Sequence, residues 1–466
     1  MGIDIKHFTK EGDTVLDPFG GSGVTAIEAV LNGRNGIQND INPLANFVAS
    51  GVMNLSGGRL GVLVEELKGL ELRCRKELAA VESGVEVRTP ADFAALANTP
   101  LPRNADARTV AELFSPRQLS AIAVIRRHIL EVEDSHAREA LLLAWSATLP
   151  KLTRTFLSAD GRAESRGGSS IFSIYRYKTA ANPVELPCWK TFEERARNIV
   201  EAKKEIDQIV AYRRGLGKEL GEFQLLNCDV LDLPRVLKEP VDYVFTDPPY
   251  GGHIAYIDLS TMWTALLGLH VRNELREKEI IVGGDLAFDD ATYLRRLEQS
   301  VRVCIALLKP DRWASIVFQH WNVRYLAAIL DAATSAGADL RAAVSQVGDP
   351  IWSMHKKKNA RSVLSGEFIL TFQKAEFGRT LNRTPKPGFD LEQQLDSILG
   401  DERADQIFGE SILNRLIIAA WKSGEIEKLE IDRSELSKLL EERGWAYNTR
   451  RHFWTRSAGN SQNQMF

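Results

Sequence analysis

The stretch from Thr14 to Asp40 restricts the fold of this chain more than any other. TVLD is a short apolar strand ending in Asp17-Pro18, and Gly20, Gly21 and Gly23 follow at once. Glycines clustered in this way turn the backbone sharply and let another group approach the main chain. Val24 to Leu31 then carries apolar residues at helical spacing, and Asn32-Gly33 stops it. Gly36 to Gln38 is a second strand, closed by Asn39-Asp40. Strand, glycine turn, helix and strand open a parallel sheet with crossover helices, so an α/β fold is expected.

The pattern breaks after residue 50 and returns near residue 221. Glu65 to Val81, Ser115 to Leu149 and Phe192 to Arg214 have the periodicity of long amphipathic helices, so 51–220 is expected to be a mainly helical insertion and a possible DNA-recognition region. Phe223 to Cys228, Val241 to Thr246 and Trp313 to Gln319 read as strands, with helices at Tyr293 to Leu308 and Val323 to Ala336. Leu340 to Val347 and Glu367 to Lys374 look like two paired strands, the second of them antiparallel. The expected organisation is therefore 1–50 and 221–378 as two parts of one sheet domain, interrupted by the insertion. After a linker rich in Pro, Gly and Arg, 379–466 is expected to be a small helical unit.

Composition excludes several classes. At 466 residues, 44% hydrophobic and 26% charged, the chain can bury a large core without a metal or disulfide. The four cysteines (Cys74, Cys188, Cys228, Cys304) are far apart and form no C-x-x-C pair, as expected of reduced thiols in a cytoplasmic protein. No run reaches the roughly 18 apolar residues of a membrane span. MGIDIKHFTKEGD lacks the apolar core of a signal peptide. A net charge of −3 argues against indiscriminate coating of nucleic acid but leaves room for a local basic face. Candidates are Lys356, Lys357 and Lys358 with Arg361, then Arg154, Arg162 and Arg166, and Arg450, Arg451 and Arg456. Each is equally readable as a solvated loop.

Two motifs carry chemistry. The first is Asp17-Pro-Phe-Gly-Gly-Ser-Gly23, with Asp40 at the end of the next strand, where an acid accepts hydrogen bonds from ribose hydroxyls. Alone it is ambiguous, because Gly21-x-Gly23-x-x-Ala26 also fits the dinucleotide fingerprint and a glycine turn can simply pack helix on strand. Asp17 inside the loop favours a methyl donor: its carboxylate would repel a pyrophosphate but suits the cationic methionine end of S-adenosylmethionine. The second is Thr246-Asp-Pro-Pro-Tyr250, directly after an apolar strand, a rare combination of an acid, two prolines and an aromatic ring.

Together the motifs resemble those of the amino methyltransferases that modify adenine N6 or cytosine N4 in DNA. Their signatures are a D-P-F-x-G-S-G type loop and D/N/S-P-P-Y/F/W. The resemblance covers residues 10–50 and 220–375, and DPPYGGHIAYIDLSTMW and LKPDRWASIVFQHWN look like the longer bacterial and archaeal methylases of this group. It implies a Rossmann-like methyltransferase sheet, mostly parallel with the last strand antiparallel, and S-adenosylmethionine as cofactor. It implies DNA as substrate partner and no metal. It assigns Asp17, Phe19, Gly20, Gly21 and Gly23 to the cofactor loop. Asp40 becomes the ribose acid, and Asp229 the acid that meets the cofactor's adenine amine. Asp247, Pro248, Pro249 and Tyr250 form the catalytic signature. DPPY points to adenine N6, since cytosine N4 enzymes more often carry Ser in the Asp position.

The chemistry accounts for these residue types. The lone pair of an exocyclic amine is delocalised into its ring. The Asp247 carboxylate and the Pro248 carbonyl can each accept one N–H and draw the lone pair out of plane. Prolines fix φ, so that carbonyl is held ready. Tyr250 offers a face for an extruded base. Transfer is then a direct displacement at the sulfonium methyl.

Two departures from the family stand out. Only about a dozen residues precede the first strand, so the insertion, a missing N-terminal segment or a partner subunit is expected to complete the methionine pocket. The insertion also lies before Asp229, not between Asp229 and Asp247. Other readings remain: an RNA guanine-N2 methyltransferase, which shares DPPYG; a nicotinamide-dependent oxidoreductase; and an inactive nucleic-acid-binding subunit, which the intact motifs disfavour. His253, His320 and His355 could touch substrate or merely pack. Tyr175 and Tyr177 could stack on DNA or line a half-exposed strand. Trp421, Trp445 and Trp454 read as a small core.

Overall fold

The computed structural model describes residues 2–54, 59–85, 89–155, 175–252, 254–347, 366–376, 387–401, 405–429, 431–448 and 453–456. Lys356, Lys357 and Lys358 lie outside them, as do His253, His355, Arg361, Arg162, Arg166, Arg450 and Arg451. The fold is mixed α/β. Its main strands are β1 (Thr14–Asp17), β2 (Asn35–Asn39), β3 (Phe223–Leu226), β4 (Val241–Thr246), β5 (Leu308–Phe318), β6 (Ala338–Val347) and β7 (Gly366–Lys374). They follow the order β3-β2-β1-β4-β5-β7-β6. This is the doubly wound order with one antiparallel strand, β7, set between the fifth and sixth. The chain divides into two compact units: Met1–Val236 with Gly252–Asp289, and Leu237–Gly251 with Asp290–Phe466.

In the first unit β1 runs parallel to β2, with Leu16 opposite Ile37, and β2 runs parallel to β3, with Gln38 opposite Leu225. The crossover helix α2 (Val24–Leu31) buries Ala26, Ile27, Val30 and Leu31. A short helix, α1 (Gly2–Phe8), precedes β1, where periodicity over so few residues predicts nothing. Its Ile5 is fully buried, and the Arg34 guanidinium ties its end down by donating to the Thr9 carbonyl (2.7 Å) and hydroxyl (3.0 Å).

The insertion is helical, as its periodicity requires: α3 (Pro43–Met53), α4 (Leu60–Glu82), α5 (Ala91–Ala97), α6 (Pro116–Leu130), α7 (Ser135–Leu152) and α8 (Cys188–Gly215), joined by α9 (Thr261–Leu267). The expected continuous stretch from Ser115 to Leu149 is two helices, because Asp134 caps α7 by accepting from the Ala137 amide (2.8 Å). Leu70, Cys74, Ile122, Ile125, Trp145, Phe192 and Trp263 share one core. Each such side chain contributes about 1.5–3 kcal/mol by burial. The indoles of Trp145 and Trp263 donate to the Ile122 and Ser146 carbonyls, both at 3.0 Å, so neither buries an unpaired N–H. Tyr177 belongs to this core. It is 1% exposed, its hydroxyl donates to the Leu259 carbonyl, and it accepts from the Met262 amide (3.0 Å). Stacking of Tyr177 on DNA is therefore ruled out by burial.

In the second unit β4 is buried along its whole length and runs parallel to β5, with Thr246 opposite Ile316. β7 is antiparallel to β5 (Ile316 opposite Leu370) and to β6 (Val344 opposite Ile369). Helices α10 (Asp290–Leu307) and α11 (Val323–Ser335) pack their apolar faces here. The C-terminal part holds α12 (Leu391–Asp401), α13 (Gly409–Ser423) and α14 (Arg433–Glu442). To the expected helices it adds a small antiparallel sheet of β8 (Gln406–Ile407), β9 (Trp445–Asn448) and β10 (Phe453–Arg456), in the order β8-β10-β9. Trp421, Trp445 and Trp454 are buried in it, and the Trp421 indole donates to Asp331 (2.7 Å). Among the described residues no helix is long and apolar enough to cross a membrane.

Candidate active site

The glycine loop of the first unit begins where β1 ends. Asp17 is buried, and its carboxylate accepts the Phe19 amide at 3.2 Å. Gly20 donates to the Asn39 carbonyl (2.9 Å) and Gly23 to that of Gly20 (2.8 Å), which closes the turn. Gly23 has φ +88°, and a Cβ there would stand 2.7 Å from both Ala49 Cβ and Gln38 Oε1, so only glycine fits. At Gly21, by contrast, a Cβ would meet nothing within 4 Å. The loop is packed on one side and open at Gly21, where a ligand can approach the backbone.

Asp40 faces that opening. One carboxylate oxygen accepts the Gly21 amide (2.9 Å) and the other the Asn42 amide (2.7 Å). Enclosure by neighbouring atoms pushes its carboxyl up to about 6, against the pull of those two amides. Two of a carboxylate's roughly four lone-pair positions are thereby used, which leaves acceptors for a ligand's hydroxyls. The backbone beneath is fixed by side-chain amides: Asn46 and Asn227 both donate to the Asp40 carbonyl, at 3.0 and 2.7 Å. Asn39 donates to the carbonyls of Pro18 (3.2 Å) and Cys228 (3.1 Å), so it links the ends of β1, β2 and β3. Gln38, wholly buried, donates to the Gly21 carbonyl (3.0 Å). None of these amides stands out in the sequence, because each acts through a partner distant along the chain or hidden in the turn.

Asp229 is 3% exposed and accepts the Leu231 amide at 3.3 Å, with the Lys278 ammonium 3.9 Å from its other oxygen. It thus caps a short helical turn after β3. Phe19 is half-buried beside the loop. Asp17, Phe19, Gly20, Gly21, Gly23, Asp40 and Asp229 all sit at or just beyond the carboxyl ends of β1, β2 and β3, the edge at which open α/β sheets take ligands.

In the second unit the DPPY segment follows β4 without a gap. Asp247 is exposed, Pro248 buried, and Pro249 and Tyr250 half-buried. The Tyr250 ring meets Phe318 of β5 edge-on, centroids 5.1 Å apart. The Pro249 carbonyl accepts from the Tyr293 hydroxyl (2.7 Å) and from the Gly251 amide (3.2 Å). Behind the turn, the rings of Tyr293 and Tyr325 lie 4.8 Å apart and those of Tyr325 and His320 4.5 Å apart. The Tyr325 hydroxyl donates to Asp290, and burial beside that carboxylate pushes it up to about 12. His320 accepts the Asn322 amide on Nδ1 (2.9 Å), so a neutral ring carries its proton on Nε2. Of the three histidines open to a substrate role, His320 packs against the turn's supporting aromatics.

The two loops thus have distinct chemistry. One is a backbone cradle with a carboxylate for hydroxyls, the other an exposed carboxylate on a rigid proline turn beside an aromatic face. No curated protein matches the chain. Residues 4–46, which hold α1, β1, the glycine loop, α2, β2 and Asp40, match the family model described as DNA methylase, and in this the chain resembles the adenine-N6 and cytosine-N4 DNA methyltransferases.

Proposed function

We propose that the chain transfers the methyl group of S-adenosylmethionine to an exocyclic amine of a DNA base, adenine N6 in preference to cytosine N4, at a defined sequence. The observation that carries this reading is the DPPY turn: an exposed Asp247 carboxylate at the tip of a fully buried strand, on a turn whose Pro249 carbonyl is held from behind. Open space at Gly21 and the free lone pairs of Asp40 suit the donor's ribose. Asp229 would take its adenine amine, and Asp17 and Phe19 would line the loop. The donor supplies an electrophilic methyl on a sulfonium.

The protein's own part is to hold the amine. The Asp247 carboxylate accepts one N–H and the Pro248 carbonyl the other. The prolines restrict φ on either side of the Pro248 carbonyl, so less of its alignment has to be found in the reaction itself. Tyr250, braced by Phe318, gives the base a face to stack on, worth about 1–3 kcal/mol per base. Lys356, Lys357 and Lys358 would contact phosphates. β6 runs parallel to β5, since both are antiparallel to β7, so β6 ends at the edge where β4 and β5 end.

The test is direct. Purified protein is incubated with unmethylated duplex DNA and methyl-labelled S-adenosylmethionine, and the DNA is digested to nucleosides for mass spectrometry. N6-methyladenine is expected. N4-methylcytosine would move the target base and leave the chemistry standing. Label in neither base would overturn the reading.

A further inference from the structure

The DPPY turn has an unusual mechanical problem. Two of its residues are prolines, which have no N–H to donate, so the turn has few amides of its own to hold it together. Within the second unit, a side chain from another element does the holding. Tyr293, wholly buried on the first turn of α10, donates its hydroxyl to the Pro249 carbonyl at 2.7 Å. Its ring is in turn braced by Tyr325 of α11, which stacks on His320 at the end of β5 and hydrogen-bonds to Asp290. Gly251 closes the arrangement. It has φ +64°, it donates to the same Pro249 carbonyl, and a Cβ there would stand 3.0 Å from Tyr325 and 3.2 Å from His320 Nε2. Burial keeps the Tyr293 hydroxyl protonated far above neutral pH, so it is a donor under all working conditions.

We infer that Tyr293 is a positioning residue for methyl transfer, setting the rotation of the Pro248-Pro249 backbone and hence the spacing between the Pro248 carbonyl and the Asp247 carboxylate. This rests on the function proposed above. The residue touches neither base nor donor; it acts through the carbonyl it holds. Without the hydroxyl, the peptide plane after Pro249 is left with the longer Gly251 bond alone (3.2 Å), and the two acceptors no longer meet the amine in one fixed geometry. Misalignment of a reacting group costs turnover rather than binding.

The test uses Tyr293→Phe, which keeps the ring and its stacking and removes one oxygen. Ser300→Ala is the control. It deletes another buried hydroxyl from the same helix, one that donates to the Arg296 carbonyl (2.7 Å) within that helix. Expected for Tyr293→Phe is a fall of about tenfold in kcat, with KM for DNA and the affinity for S-adenosylmethionine within twofold of wild type, while Ser300→Ala keeps wild-type kcat. A second readout does not depend on activity. Amide hydrogen exchange in the peptide spanning Thr246 to Ala255 should quicken several-fold in Tyr293→Phe, with β4 and β5 unchanged. Wild-type kcat in Tyr293→Phe, or unchanged exchange in that peptide, overturns the inference. If the wild-type protein itself transfers no methyl group to DNA, the proposed function fails, and the exchange result alone decides whether Tyr293 holds the turn.

Discussion

The Asp40 carboxyl gives the proposed cofactor site a pH signature. Its folded-state value of about 6 lies roughly two units above that of an ordinary aspartate. Between about pH 4 and 6 the folded protein therefore binds more protons at this residue than the unfolded chain. Its contribution to stability falls as pH rises through that window, and the ionised group costs the ligand-free protein at most about 3 kcal/mol at neutral pH. Ribose hydroxyls donate to the ionised form, so S-adenosylmethionine should pull the proton off. If binding requires the carboxylate, the apparent dissociation constant scales with one plus the ratio of protonated to ionised Asp40. It should be about tenfold weaker at pH 5 than at pH 7. Isothermal titration of the wild-type protein across that range measures it directly, with Asp40→Asn as reference. The variant should bind more weakly at pH 7, by about 1.5–3 kcal/mol for the missing bonds to a charged acceptor, and should lose the pH dependence. A wild-type affinity that moves less than twofold, or a variant that keeps the tenfold change, would show that Asp40 is not the ribose acid.

Three further outcomes are expected. Asp247→Ala should abolish methyl transfer while a cofactor titration stays near wild type, because the proposed reaction gives Asp247 the substrate amine to hold; wild-type turnover would remove it from the site. Gly251→Ala should destabilise the protein by about 1–3 kcal/mol in urea unfolding, since φ is +64° and the added methyl would press on Tyr325 at 3.0 Å; an unshifted midpoint would mean that the turn relaxes freely. Replacing Lys356, Lys357 and Lys358 with Ala should lower duplex affinity and flatten its salt dependence by about one unit of slope for each phosphate that is no longer neutralised; unchanged affinity and slope would place these lysines off the DNA.

How much of this is legible in the sequence depends on how local the cause is. Val24–Leu31 and Val241–Thr246 match their sequence-based bounds because periodicity, a glycine turn and a polar stop lie within each segment. The break between Leu130 and Ser135 escapes a reading by periodicity because apolar spacing continues across it, and Asp134 starts α7 anew by capping it through the Ala137 amide. The C-terminal strands escape it because they are two to four residues long, too short for a period, and their aromatic residues read equally well as a helical core. Tyr177 shows the reverse failure. Alternation with Arg176 and Lys178 suggests a half-exposed strand, yet its hydroxyl is satisfied in the core by Leu259 and Met262, more than 80 positions away.

The candidate site divides along the same line. The residues to which the proposed function gives the chemistry, from Asp17 through Asp40 to Asp247 and Tyr250, stand in short motifs because each occupies a fixed place on one loop. The residues that make those loops rigid are scattered. Asn227 reaches back 187 positions to the Asp40 carbonyl, and Tyr293 reaches 44 to that of Pro249. A motif therefore names the groups that would face a substrate, while the second set appears only when folding brings distant donors onto backbone carbonyls. Both loops use one solution. A carbonyl exposed by a turn is held by a side-chain donor that lies outside that turn. That shared construction is why substitutions at Asn46, Asn227 and Tyr293 should act on geometry, while those at Asp40 and Asp247 act on the chemistry itself.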